Sequence, residues 1–149
     1  MPLRTVRTSE LPSLAAWLPD VARAIGCERW SSEDALSDAT GRDDTLIYHD
    51  SAGAAFVAYE RHAPKRNAAH VKLLAVAPDK RRLGIGGRAA LALEKRLGKP
   101  AARIYVAVPA RLGLALYFWL RLGYRPLTQR DWPEAPPDAP SVWMVRELR

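Results

Sequence analysis

The stretch Val76-Ala-Pro-Asp-Lys-Arg-Arg-Leu-Gly-Ile-Gly-Gly87 decides how this chain of 149 residues is read. The apolar run His70 to Val76 precedes it and reads as a strand. The run Arg88 to Leu97 follows it with helical spacing. A strand therefore ends in a loop rich in glycine and basic side chains, and a helix starts. The first N–H groups of a helix have no intrahelical partner and lie at the positive end of the helix dipole. Gly84, Gly86 and Gly87 carry no side chain that would hold a ligand away from those groups. Lys80, Arg81, Arg82 and Arg88 add positive charge. The combination predicts a site for phosphate or pyrophosphate.

Two common nucleotide motifs are excluded. No Gly-x-x-x-x-Gly-Lys-Ser/Thr run exists. Gly84-x-Gly86-x-x-Ala89 fits the dinucleotide fingerprint only with alanine in the last place, and the acidic residue that must end the second strand is missing: Glu94 is too near, and Arg103 to Val108 runs into Pro109. What fits is Arg81-x-x-Gly84-x-Gly86, entered from Val76-x-Pro78. This closely resembles the acetyl-CoA loop of the GNAT acetyltransferase superfamily. The resemblance implies that Arg81, Arg82, Leu83, Gly84, Ile85, Gly86, Gly87 and Arg88 hold the pyrophosphate of acetyl-CoA. It also implies that the backbone of Leu74, Ala75 and Val76 pairs with the pantetheine arm, opposite the strand that ends at Val108. Pro109 suits that place, since it has no N–H to leave unpaired.

A second segment, Leu116-Tyr117-x-x-Leu120-x-x-Gly123-Tyr124, resembles the family's Leu-Tyr-x-x-x-Gly-Phe type of segment. The resemblance makes Tyr117 the acid that protonates the departing thiolate. Read from the residues alone, Tyr117 is either a positioned phenol or a core tyrosine bonded to a backbone carbonyl. The sequence departs from the family at Ala110, where an asparagine often helps hold the pantetheine arm. Many relatives carry a glutamate base on the strand before the loop; here His70 takes that position, with His62 and Glu60 in reserve. An imidazole titrates near neutrality and accepts a proton directly or through water, although a solvent-facing histidine at a strand's start is equally compatible with the sequence.

The formal charge of +7 is uneven. Residues 1–60 hold five Lys/Arg against ten Asp/Glu, a charge of −5, and residues 61–149 carry +12. A polyphosphate cofactor accounts for part of the basic half. Nucleic acid is the rival explanation, but the arginines are scattered and no helix shows a basic face interleaved with aromatics. The three histidines are far apart and Cys27 is the one cysteine, so neither a metal motif nor an internal disulfide is expected. Cys27 reads as a small buried or half-buried hydrophobe. Arg4, Arg7 and Glu10 interrupt any apolar leader, and no apolar run is long enough to span a bilayer. The expectation is one domain over residues 1–149, cytoplasmic, not membrane-bound, and monomeric or homodimeric.

Along the chain, Leu3 to Arg7 alternates as a strand. Leu11, Leu14, Ala15, Leu18, Ala22 and Ile25 form one helical stripe, with a break or kink expected after Leu18 at Pro19. Ser31 or Ser32 caps a second short helix that ends at Gly41. Thr45 to His49 and Ala54 to Arg61 form a hairpin about Asp50-Ser-Ala-Gly53. Leu112 to Leu122 is apolar nearly all round, which predicts a buried helix. Tyr124 to Thr128 and Val142 to Glu147 complete the strands, around a loop stiffened by prolines. The order β-α-α-β-β-β-α-β-α-β-β does not alternate strictly. It predicts an α+β protein with a mixed, mostly antiparallel central sheet and helices on both faces, the order of the GNAT fold.

Acetyl-CoA-dependent transfer of an acetyl group to an amine is the function the resemblance implies, with no metal. A CoA-binding sensor without chemistry and a basic nucleic-acid binder are the alternatives. By resemblance, the acceptor site is lined by Gly26 to Ser32, with Trp30, and by Arg130 to Ser141, with Trp132. These tryptophans either pack on the acceptor or bury against the domain. The acidic N-terminal part suits a basic amine.

Overall fold

The computed structural model describes residues 3–51, 53–78, 84–98, 101–128 and 140–148. The elements run β1 (Leu3–Thr5), α1 (Leu11–Ala15), α2 (Leu18–Ile25), α3 (Glu33–Leu36), β2 (Thr45–Asp50), β3 (Gly53–Arg61), β4 (Ala68–Val76), α4 (Ile85–Leu97), β5 (Arg103–Pro109), α5 (Gly113–Arg121), β6 (Arg125–Pro126) and β7 (Ser141–Glu147). The strands form a mixed, mostly antiparallel sheet in the order β1-β2-β3-β4-β5-β7-β6, as the element order predicts. Contacts divide the chain into two units, Met1–Tyr59 with Leu73–Arg96, and Glu60–Lys72 with Leu97–Arg149.

In the first unit, β2 and β3 form the expected hairpin, and β1 pairs with β2 from Leu3↔Tyr48 to Thr5↔Leu46. Side chains alternate across a strand. Ile47, Phe56, Ala58, Leu73 and Ala75 therefore share a face, and they pack with Leu14, Leu18, Val21, Ala22, Trp30 and Leu36 from the α1–α3 segment. Residues of the other parity, Leu46, Tyr48, Ala55 and Val57, are buried as well. On that side Arg88 of α4 reaches Asp50, which shares the parity of Tyr48. The sheet of this unit thus carries helices on both faces.

The N-terminal helical stripe breaks earlier than its pattern predicts. α1 ends at Ala15, and Pro19 lies in the first turn of α2. A proline there removes an N–H that has no intrahelical partner, so it starts a helix where the sequence reading had it end one. The stripe survives the break. Leu14, Leu18 and Ala22 are buried, and Leu11, Ala15, Ile25 and Cys27 pack against the same cluster. Ser32 caps α3, its Oγ accepting from the Ala35 N–H.

Glu10 ties the start of the chain to β2. Its carboxylate accepts from both terminal nitrogens of Arg4 at 2.7 Å and from the Arg7 backbone at 2.8 Å, and it pairs with His49 Nε2 at 2.8 Å. The Arg4 guanidinium, foremost among these partners, lowers the carboxyl pKa to about 2.

In the second unit, β5 pairs with β7 along its whole length, from Arg103↔Glu147 to Pro109↔Ser141. The strand expected over Tyr124 to Thr128 is reduced to Arg125–Pro126, which pair with Val145 and Met144. Leu127 then returns a bond to the Trp143 carbonyl at 2.8 Å. Ala68, Tyr105 and Trp143 form the local cluster.

Helix α5 departs from the expectation of burial. Trp119 is its buried residue, packed edge-on against Phe118 and Tyr124. Leu114 is 85% exposed, Tyr117 59% and Leu120 39%. These three recur every third residue, so one stripe of an all-round apolar helix faces outward. Gly123 ends the helix at φ +98°, and Arg146 Nη1 caps it by donating to the Leu122 carbonyl.

Candidate active site

Helix α4 starts from Gly84. Its φ is +77°, a conformation L side chains rarely adopt, and its carbonyl accepts the Arg88 N–H at 3.1 Å. Ile85 is 1% exposed and Gly86 is buried, so the helix start is anchored in the core. A Cβ on Gly84 would lie 2.7 Å from Arg88 Nη1, because the guanidinium lies over the bare glycine. Arg88 Nε donates to Asp50 Oδ2 at 2.6 Å, and the same oxygen accepts from the Tyr48 hydroxyl at 3.0 Å. Asp50 is foremost in raising the Arg88 pKa further. Desolvation, ahead of the neighbouring Asp50 carboxylate, raises that of Tyr48. Lys80, Arg81, Arg82 and Leu83 lie outside the described residues.

The strand that feeds the loop, expected over His70 to Val76, spans Ala68–Val76 and alternates in burial towards its end. Leu74 and Val76 are half-buried, and Ala75 is buried in the α1–α3 cluster. The parallel β4–β5 ladder runs from Ala68↔Arg103 to Val71↔Val106, while β4 continues to Val76.

Tyr117, in the second unit, is no core tyrosine. Its ring is largely exposed, with the Arg121 guanidinium 5.7 Å from the centroid. His70 is half-buried against Trp143, ring centroids 4.9 Å apart and planes at 50°. Desolvation first, then the charge of Lys72, lowers its pKa to about 4, so it is neutral at pH 7. Of the reserve bases, Glu60 pairs with Lys72 at 3.8 Å, and His62 is exposed at φ +57°. Ala110 donates its N–H to the Pro140 carbonyl at 3.0 Å.

Of the two readings open for Trp30, packing on the acceptor or burial against the domain, the structure shows burial: it is 2% exposed and packs edge-on against Phe56 at 5.4 Å, inside the α1–α3 core. Trp132 lies outside the described residues. Asp50 and Tyr48 are neighbours of the α4 start that the sequence does not point to: Asp50 reads there as part of a hairpin turn, and nothing in the sequence links it to Arg88, 38 positions away. Among the described residues there is no group of three or more His, Cys, Asp or Glu placed to hold a metal ion, and no helix is long and apolar enough to cross a membrane.

No protein-family model matches the chain, and no curated protein matches it. Solved structures do. A GNAT-family acetyltransferase from Staphylococcus aureus superposes with a TM-score of 0.74 at 16% identity, covering 99% of this chain and 98% of that one. The chain has the GNAT fold. The PaiA N-acetyltransferase of Thermoplasma acidophilum, in complex with coenzyme A, shares that GNAT fold with a TM-score of 0.72 at 16% identity, covering 97% of each chain. The ribosomal-protein-S18-alanine N-acetyltransferase of Escherichia coli gives a TM-score of 0.62 at 21% identity, covering 96% of this chain and 89% of that one.

Proposed function

We propose that the protein is an acetyl-CoA-dependent N-acetyltransferase. The observation that carries this reading is the start of α4. A 13-residue helix begins just after a positive-φ glycine, the next described element in the chain after strand β4, with an arginine laid over that glycine. Amide groups at such a start favour a diphosphate. Similarity to a GNAT-fold acetyltransferase in complex with coenzyme A supports the choice of CoA among diphosphates.

In this reading the amides of Gly84 to Gly87 and the Arg88 side chain bind the pyrophosphate. Arg81, Arg82 and Leu83 complete the loop. The backbone of Leu74, Ala75 and Val76, past the end of the β4–β5 ladder, pairs with the pantetheine arm. The amine lone pair attacks the thioester carbonyl, a C–N bond forms, and the C–S bond breaks. Tyr117 gives its proton to the departing thiolate, a role that suits an exposed phenol. His70 is assigned the proton the amine loses, directly or through water, by its place on the strand before the loop; its burial keeps it neutral at pH 7 and at the same time lowers its strength as a base. The acidic N-terminal part favours a basic amine as acceptor. The protein acts in the cytoplasm, as a monomer or homodimer.

The test is a calorimetric titration of the purified protein with acetyl-CoA, desulfo-CoA and ATP, followed by a thiol-release assay against a panel of amines. One-site binding of both CoA species but not ATP, with thiol release for at least one amine, is the expected outcome. Binding without turnover against every amine would make the protein a CoA sensor. No binding by folded protein would overturn the reading.

A further inference from the structure

We infer that Asp50 and Tyr48 are positioning residues that hold the Arg88 guanidinium ready for a cofactor phosphate. The inference rests on the reading of the α4 start as the CoA pyrophosphate site. All the residues involved belong to the first unit.

A free arginine side chain samples many rotamers, and a ligand that recruits it must overcome that freedom. Arg88 is exposed, with 44% of its side chain accessible, so the helix surface alone does not fix it. Asp50 does. Its Oδ2 takes the Nε hydrogen at 2.6 Å, which orients the guanidinium plane. Tyr48, 5% exposed, donates its hydroxyl to that same oxygen at 3.0 Å and is itself locked by the core. The far end of the arginine then lies over Gly84, with Nη1 2.7 Å from where a Cβ would stand. A guanidinium has five N–H donors; Asp50 and the Tyr48 hydroxyl engage part of this one, and the rest are left for a further acceptor. The chain Tyr48–Asp50–Arg88–Gly84 thus runs from a buried phenol to the turn that opens α4.

The opposite reading is that Asp50 merely neutralises Arg88 and repels anions. The two predict effects of opposite sign. If Asp50 positions Arg88, Asp50→Ala weakens acetyl-CoA by about 3- to 10-fold, the scale of one immobilised side chain. If Asp50 only opposes anions, Asp50→Ala tightens binding.

The experiment measures acetyl-CoA dissociation constants by calorimetry for the parent, Asp50→Ala, Asp50→Glu, Tyr48→Phe, Arg88→Ala and the Asp50→Ala/Arg88→Ala double variant, with the unfolding midpoint of each. The expected result is weaker binding in Asp50→Ala and Arg88→Ala, with no further loss in the double variant. Tyr48→Phe falls between parent and Asp50→Ala, and Asp50→Glu recovers part of the loss. Unchanged or tighter binding in Asp50→Ala would overturn the inference, as would additive losses in the double variant. A general effect on folding would also weaken binding in the Arg88→Ala background, which the cycle detects. Failure of the parent itself to bind acetyl-CoA would overturn the CoA reading first and this inference with it.

Discussion

Arg146 lays its guanidinium across Gly123. Its Nη1 donates to the Leu122 carbonyl, and a Cβ at Gly123 would meet that nitrogen at 2.1 Å. The glycine also stands at φ +98°. Gly123→Ala therefore strains the backbone and makes the flexible Arg146 side chain swing aside, giving up its bond to the Leu122 carbonyl. It is expected to lower stability by about 1–3 kcal/mol. In an Arg146→Ala background the clash disappears and a smaller loss remains. Urea unfolding of the four proteins checks the difference.

His70 makes stability fall at mildly acidic pH. Its pKa is lowered from 6.5 to about 4 in the fold. Above 6.5 both folded and unfolded states hold it neutral, and its contribution is fully present. Between 6.5 and about 4 the unfolded chain takes up a proton that the folded chain refuses, so stability drops. Below 4 the loss is complete. His70→Gln is expected to flatten that part of the stability curve, measured as urea midpoints from pH 8 to pH 4.

Glu10 acts in a separate, more acidic window. Its pKa is lowered from 4.5 to about 2, so its contribution is present above 4.5 and disappears as pH falls towards 2. Glu10→Gln strips the charge from the bonds to Arg4 and leaves that guanidinium half-paired. A loss of about 1–3 kcal/mol at neutral pH is expected. The same urea series at pH 7 and at pH 3 checks it, with the gap between parent and variant narrowing at the lower pH.

Tyr117→Phe separates chemistry from folding. The ring is largely exposed, so the unfolding midpoint is expected to stay within about 0.5 kcal/mol of the parent. If the phenol protonates the leaving thiolate, turnover falls by about 10²-fold while calorimetric affinity for acetyl-CoA is retained. Equal rates for parent and variant would remove Tyr117 from the mechanism.

Trp30→Ala tests the core assignment. Removing a side chain that is 2% exposed and packed on Phe56 is expected to cost about 3–5 kcal/mol. A variant as stable as the parent, with an altered acceptor preference, would return Trp30 to the acceptor site.

What was legible in the sequence was mostly local. The strand, glycine loop and helix around Gly84 follow from backbone rules that act over a dozen residues, and so does the Ser32 cap. The element order, read in sequence, gave the sheet. What was hidden depends on partners distant in the chain. Arg88 reads as a positive charge at the head of the helix, and its partner stays hidden because the pairing with Asp50 crosses from a helix to a strand end 38 positions away. Trp30 sits among polar residues and looked available, yet Phe56 claims it. Helix α5 misled in the other direction. Composition shows that a helix is apolar all round, but not how many of its faces have a neighbour, and here Trp119 alone is buried. Pro19 was read as a stop because proline ends helices as well as starting them.

The two strands that end the sheet order are three and two residues long, β1 and β6, and β6 contains Pro126. An incoming strand needs a row of unpaired N–H and C=O groups on which to build. Leu3–Thr5 offers such a row for barely one turn of the pleat, and Arg125–Pro126 presents a charge and an imino nitrogen in its place. Among the described residues, brevity at β1 and a proline at β6 thus leave little backbone on which another strand could build, in a chain that leaves Leu114 and Leu120 open to water.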